Sequence, residues 1–269
     1  MSRLGRKIQF DERSRKYPIK EIIRVLEPVT KIWPCIKVLD QGNEGSCVGH
    51  GIAHELIADP VPCLSVDHDY ARMIYLEAQK IDEFPDTPPE EGTSVLAGLQ
   101  IVKSLGWCDE YRWSFTHLDT QLGIGYEGPG ICGSNWYSGM EDVDSNGFIH
   151  ASGYVEGGHC FAFLGVNPAE EYFTILNSWG AWGIDGTGRA KISFSDYEKL
   201  RTEDGEMAFL VGRHDVGIQP IPPEPPPPVP PGPEPSDCTV SRSVVNTLNL
   251  IWKLTGRKTR FTTKKGGGK

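Results

Sequence analysis

What the chain lacks narrows it first. No apolar run approaches the roughly 18–20 residues a helix needs to cross a bilayer. The opening MSRLGRKIQFDERSRKYPIK is polar and basic, without the apolar core of an export signal. Seven cysteines, an odd number widely scattered, do not make a secreted disulfide framework. The expectation is a non-exported protein with mostly reduced thiols; Cys63 with Cys108 and Cys132 with Cys160 are the pairings that sequence leaves open. No internal repeat is present. Positive charge is scarce outside one end: Ser236 to Lys269 holds eight Lys/Arg against one acid, leaving 19 basic and 35 acidic residues elsewhere. An acidic body argues against nucleic acid as its partner, and leaves an anionic surface or an assembly partner open for the basic tail.

What is present has an order. Pro18, Pro28 and Pro34 punctuate a lead-in (residues 1–35) with room for one short helix near Lys20 to Leu26. A helix is predicted from Cys47 to about Ala58, closed by Pro60 and Pro62. A second runs from about Val66 to Ile81, where Ala71, Ile74, Tyr75 and Ala78 fall at helical spacing. A third starts at Thr93 or Ser94 and ends at Gly106. After about Trp113 glycine becomes frequent, and CFAFLGV (160–166), YFTIL (172–176) and RAKISF (189–194) read as strands. The expected architecture is α+β, with a helical lobe, a β-rich lobe and a site in the cleft between them. Eleven prolines among the sixteen residues from Pro220 to Pro235 predict an extended polyproline spacer. The predicted units are residues 1–35, a domain at 36–215, a linker at 216–236 and a tail at 237–269.

The stretch from Leu39 to His54, LDQGNEGSCVGHGIAH, is where chemistry concentrates. Glycines ahead of Cys47 permit a tight turn, which puts the thiol at a helix N-terminus where the macrodipole favours thiolate. A thiolate needs a base and oxyanion donors. His159, after two glycines and at the mouth of an apolar strand, is the best-placed base. Asn177 ends another strand eighteen residues on, and its carbonyl can fix the imidazole's orientation and tautomer, with Trp179 shielding that hydrogen bond. Cys47, His50 and His54 share a helical face, but HGIAHE is not HExxH and no third histidine assists. No metal and no cofactor are expected.

In order and spacing, Gln41, Gly45-Ser46-Cys47, His159 and Asn177-Ser178-Trp179-Gly180 resemble the papain-like (C1-type) cysteine peptidases, from about Val38 to Val211. The resemblance implies a two-lobed papain-like fold and a Cys-His-Asn triad. Cys47 is its nucleophile and His159 its acid and base; Asn177 orients the imidazole, and Gln41 with the Cys47 backbone N–H holds the oxyanion. It also implies that Gly92 and Thr93, in the family's Gly-rich turn, hold a peptide backbone, with Gly45, Ser46 and Gly158 lining the path, and that Trp179 supports the site. Peptide-bond hydrolysis is the leading function, on a peptide or protein substrate.

Three departures stand out. Glu44 replaces the cysteine that secreted members carry three residues before the nucleophile, and is where this protein is expected to differ most from them. Only 46 residues precede Cys47, against a far longer inhibitory pro-segment in the family, so constitutive activity or another form of control is expected. The polyproline run and basic tail have no counterpart in the core family. Bacterial and bacteriophage members are the nearer likeness, which places the chain in a bacterial or phage-infected cytoplasm, or with a virion. The alternatives are a silent or structural papain-like interaction module, as in a phage particle, and a cell-wall peptide hydrolase or acyl transferase with the same triad.

Overall fold

The computed structural model describes residues 4–84 and 91–217; the polyproline linker and the basic tail lie outside the described residues. In chain order the elements are β1 (Arg6–Lys7), β2 (Lys31–Ile32), α1 (Cys47–Ile57), α2 (His68–Gln79), β3 (Thr93–Ser94), α3 (Val95–Ser104) and β4 (Cys108–Ser114). Then follow α4 (His117–Tyr126), β5 (Gly130–Tyr137), β6 (Phe148–Ile149), β7 (Val155–Asn167), β8 (Tyr172–Leu176), β9 (Arg189–Ser193), α5 (Phe194–Thr202) and β10 (Glu206–Arg213).

Local chemistry sets most helix starts. Asp67, Ser94, Thr116 and Ser193 each accept a backbone N–H three residues on, capping α2, α3, α4 and α5. α1 differs: its N-cap residue Ser46 makes no side-chain cap, and every residue of the helix is buried. Such a helix is held by packing rather than by propensity. Gly49 is the contact point with α2, since a Cβ there would lie 2.1 Å from the carbonyl oxygen of Ala71.

The sheet runs β4-β10-β5-β7-β8-β9-β6, with β2 also paired to β7. One hydrophobic cluster joins α1, α2 and α3 to Ile131, Cys160, Ala162 and Leu210 of the sheet. The other gathers Phe161, Phe163, Phe173 and Phe209 with Ile124 of α4 and Tyr197 of α5. The helical and β-rich lobes predicted from sequence are therefore present, with two corrections. Cys108–Ser114 is a strand inside the stretch read as helical, and His117–Tyr126 is a helix inside the stretch read as strands. The short helix predicted near Lys20 to Leu26 is a single 3-10 turn, Ile19–Glu21, anchored by fully buried Ile19. The lead-in is also woven in: Trp113 donates its indole N–H to Ser14 Oγ and its backbone N–H to the Tyr17 carbonyl.

Candidate active site

Three adjacent strands fix the β side of the cleft. In register, Glu206 of β10 faces Gly133 of β5, Gly133 faces Cys160 of β7, and Ser134 faces His159. Directly opposed residues share a face of the sheet. Cys160 and Glu206 thus share one row, with a glycine between them, and His159 takes the opposite face. There it meets Trp136 at 4.8 Å and Trp179 at 5.1 Å between ring centroids. Cys47 begins α1, and the backbone N–H of Cys160, the residue after His159, favours its thiolate.

His159 Nε2 lies 2.8 Å from Asn177 Oδ1, which also accepts the Ser178 backbone N–H at 2.8 Å. An oxygen already accepting a backbone N–H must accept from the imidazole too, so Nε2 carries the proton. Nδ1 is left with its lone pair, buried and without a partner. On the other side of the cleft, Ser178 Oγ donates to Gln41 Oε1 at 2.7 Å, and Gln41 Nε2 donates to the Glu44 carbonyl at 2.8 Å. Ser178 thereby links the strand end carrying Asn177 to the loop carrying Gln41.

The other sequence-nominated residues divide into two groups. Gly92, Thr93, Gly45 and Gly158 line one path, while Trp179 packs on His159. Thr93 contributes its backbone only, because its hydroxyl donates to Asp82 at 2.5 Å. Ser46 is buried, and its carbonyl accepts from the His50 backbone at 3.2 Å and from His50 Nδ1 at 3.0 Å. His50 Nε2 meets His68 Nδ1 at 3.0 Å, and His54 Nε2 accepts the Leu39 N–H at 2.9 Å. Both histidines are interior packing groups. Among the described residues no cluster of three His, Cys, Asp or Glu side chains is placed to hold a metal ion, and Cys35, Cys47, Cys63, Cys108, Cys132 and Cys160 are free thiols.

The sequence did not reveal what fills the path. Leu4 to Lys7 runs through the cleft, with β1 parallel to β3 and the Gly5 carbonyl accepting the Thr93 N–H at 2.9 Å. Contact is backbone against backbone. A Cβ on Gly5 would lie 2.0 Å from the Gly45 carbonyl oxygen, and one on Gly158 would lie 2.1 Å from the Arg6 carbonyl oxygen. Arg6 is buried with its Nε 3.1 Å and its Nη2 2.8 Å from Glu206 Oε1. As a result Cys47, His159 and Asn177 are wholly buried.

That covering sets the electrostatics. Desolvation pushes the Cys47 thiol up to about 11, against the backbone N–H groups of Cys160, Gly5 and Val48. Desolvation likewise brings His159 down to about 4, against its hydrogen bond to Asn177. Thiol and imidazole are both neutral in this closed arrangement. The thiol also meets the N–H of Gly5, while the Gly5 carbonyl is turned to Thr93, so Gly5 offers the sulfur no carbonyl to attack.

Helical lobe, twisted sheet and the site between them define a papain-like α+β fold. No family model matches the sequence. An uncharacterized peptidase C1-like protein of Acanthamoeba polyphaga mimivirus is 20% identical over 211 residues, spanning 60% of this chain and 66% of that protein, just under two thirds of its length. Xylellain, a cysteine protease from Xylella fastidiosa, superposes with a TM-score of 0.56 at 18% identity, covering 79% of this chain and 97% of that one. Procathepsin L 3 from the larval midgut of Tenebrio molitor gives a TM-score of 0.50 at 12% identity, over 77% and 75%. At these identities the likeness is one of fold.

Proposed function

We propose that this chain is a cysteine peptidase that cleaves peptide bonds through a thioester on Cys47. One observation carries the reading: the His159–Asn177 hydrogen bond leaves a buried, unpartnered Nδ1, while the Cys47 thiol, at a helix N-terminus, meets the backbone N–H of Cys160, the residue next to His159. With the covering segment withdrawn, water and the helix dipole favour the ion pair of Cys47 thiolate and His159 imidazolium. The thiolate adds to the scissile carbonyl carbon, and the oxyanion is held by the Cys47 N–H and by the Gln41 amide, which turns to it. As the tetrahedral intermediate collapses, the C–N bond breaks and imidazolium gives its proton to the leaving amine. Neutral imidazole then takes a proton from water, whose oxygen attacks the thioester and releases the acid and the thiol.

The substrate is a peptide or protein laid along Gly92 and Thr93. In the arrangement described the enzyme is at rest, since residues 4–7 hold that place. A reducing compartment and a place with bacterial and bacteriophage members are part of the proposed reading and rest on the sequence, not on the matches. The filled cleft equally fits a papain-like module that binds without turnover, and one experiment separates the two. A peptidyl epoxide probe under reducing conditions is expected to add to Cys47 of the Arg6→Ala chain, and to fail with Cys47→Ala or His159→Ala added. Labelling of another cysteine, or none, refutes the peptidase reading.

A further inference from the structure

One buried nucleophile has no part in peptide cleavage. Cys160 follows His159 on β7, but its side chain turns the other way, into the cluster that packs α1 on the sheet. Gly51 makes room for it: a Cβ there would stand 3.0 Å from Cys160 Sγ. Gly51 lies one helical turn beyond Cys47, on the same side of α1. The two thiols therefore share the seam between α1 and β7. The Cys47 sulfur also receives the Cys160 backbone N–H, whose nitrogen is two bonds from the Cβ of Cys160. Cys132, the pairing that sequence leaves open for Cys160, faces the other way. It opposes Phe161 in the register and belongs to the aromatic cluster on the far side of the sheet.

The two thiols of the seam are unlike. Cys47 starts a helix, whose dipole and N–H groups favour its thiolate once the cleft is open. Cys160 stands inside a strand, where burial and then the charge of a neighbouring Cys47 thiolate hold it well above the usual thiol range. An oxidant that reacts with thiolate takes Cys47 first and leaves Cys160 as a thiol.

We propose that Cys160 is a resolving thiol, which turns peroxide oxidation of Cys47 into a reversible Cys47–Cys160 disulfide. The inference rests on the reading of Cys47 as the nucleophile and adds a redox control of that site. The Cys47 thiolate attacks one oxygen of hydrogen peroxide; the O–O bond breaks, hydroxide leaves, and Cys47 becomes a sulfenic acid. The Cys160 sulfur then attacks the sulfenic sulfur. The S–S bond forms as the S–O bond breaks, and the Cys160 proton leaves with the hydroxyl as water. Two equivalents of a small thiol return both cysteines and are themselves oxidised to a disulfide. Without Cys160 the sulfenic acid is open to a second peroxide, and the sulfinic acid so formed is not returned by thiols.

Cleavage after glutamate separates the cysteines for a test: Cys47 falls in residues 45–55, Cys132 in 128–141 and Cys160 in 157–170. The Arg6→Ala chain, treated with hydrogen peroxide and then blocked with iodoacetamide, is expected to yield 45–55 linked to 157–170. Because a disulfide tolerates Cβ atoms only about 3.5–4.5 Å apart, the link also reports that the seam brings the two together. Labelling of Cys47 by the epoxide probe is expected to be lost with the link and restored by dithiothreitol. Adding Cys160→Ala, which keeps the backbone N–H, is expected to abolish the linked pair, carry Cys47 on to sulfinic or sulfonic acid, and make the loss of labelling permanent. Should a variant not fold, longer exposure of the wild-type chain is expected to give the same linked pair. A link from Cys47 to any other cysteine, a sulfinic Cys47 beside a reduced Cys160, or labelling that dithiothreitol restores equally without Cys160 overturns this inference alone. So does a Cys47 that takes the epoxide probe yet resists peroxide. A Cys47 that reacts with neither reagent overturns the peptidase reading and this inference with it.

Discussion

β10 carries a buried arginine–glutamate pair at each end, and the two are differently built. At its far end Arg213 lies 3.3 Å from Glu55, with both side chains almost wholly buried. Its guanidinium also donates to the carbonyls of Leu56, Ala58 and Val61 at 3.0, 3.1 and 2.9 Å. The Leu56 and Ala58 carbonyls belong to the end of α1, at the negative end of its dipole, and Val61 to the loop just beyond it. Arg213 therefore belongs to the frame, closing the helix that carries Cys47. Arg6 at the near end has one carboxylate oxygen and one carbonyl, and belongs to a strand of two residues. One pair closes a helix of the frame; the other joins the sheet to a strand of two residues, the side proposed here to be exchangeable. A buried ion pair says little about its purpose until the attachment of each partner is known.

Breaking the frame pair has the largest expected effect. Arg213→Ala leaves buried Glu55 without its cation and takes a side-chain donor from the Leu56, Ala58 and Val61 carbonyls, and is expected to cost about 3–5 kcal/mol. Arg6→Ala frees a segment and opens Glu206 to water, so its expected cost is only about 1–3 kcal/mol. Urea titrations of the two variants make the comparison, and equal losses would erase the distinction.

Acidity sharpens it next. Burial pushes the Glu55 carboxyl up to about 7, though Arg213 draws it down. Unfolded, such a group titrates near about 4.3. Between those values the folded chain holds a proton that the unfolded chain has released. This group's contribution is therefore complete below about 4.3, declines by about 3 kcal/mol as pH rises to 7, and is flat above. Glu55→Gln is expected to remove that decline. The difference between wild-type and variant stabilities at pH 5 and pH 8 reads it free of the histidines, which act in the opposite sense.

Third comes the exchangeable side. Valine at Gly5 places a Cβ against the Gly45 carbonyl, and backbone must yield. Overpacking of this kind is expected to displace the segment and raise the alkylation rate of Cys47 at neutral pH about tenfold. In the wild type, where burial holds the thiol up to about 11, the rate is expected to climb about tenfold per pH unit, as the thiolate fraction does. A flatter profile in Gly5→Val marks the opened site; identical profiles would mean that the segment does not govern the thiol.

The frame was far more legible in the sequence than the exchangeable part. α1 is predicted from Cys47 to about Ala58 and found at Cys47–Ile57, and YFTIL is β8 to the residue. Both are runs whose apolar pattern matches their burial. α4 escaped because HLDTQLGIGY carries two glycines, and what explains Gly123 is distant: a Cβ there would lie 2.4 Å from the Phe209 ring. β4 escaped because CDEYRWS alternates charge with aromatics and buries little of its middle. In the site, Gln41, Cys47, His159 and Asn177 were named from local motifs. Arg6 and Glu206 stand 200 residues apart with no motif around either. An acid opening the apolar strand EMAFLV was the one available signal, and it had no meaning without a partner.

The smallest expected effect falls where the sequence promised the largest difference from secreted papain-like enzymes. Glu44 accepts Arg72 Nε at 2.9 and 3.1 Å, with side-chain exposures of 31% and 48%. That pair ties the turn before α1 to α2, but it does so in water. Glu44→Ala is expected to cost only about 0.2–1 kcal/mol, and less as salt rises. The part of Glu44 that reaches the site is its carbonyl, which holds the Gln41 amide and survives the substitution. Cys47 reactivity in Glu44→Ala should therefore stay within about twofold of wild type across a salt titration, since the surface pair is worth so little. A larger or salt-sensitive change would mean that the carboxylate acts on the thiol through space, and would move Glu44 into the exchangeable half of the molecule.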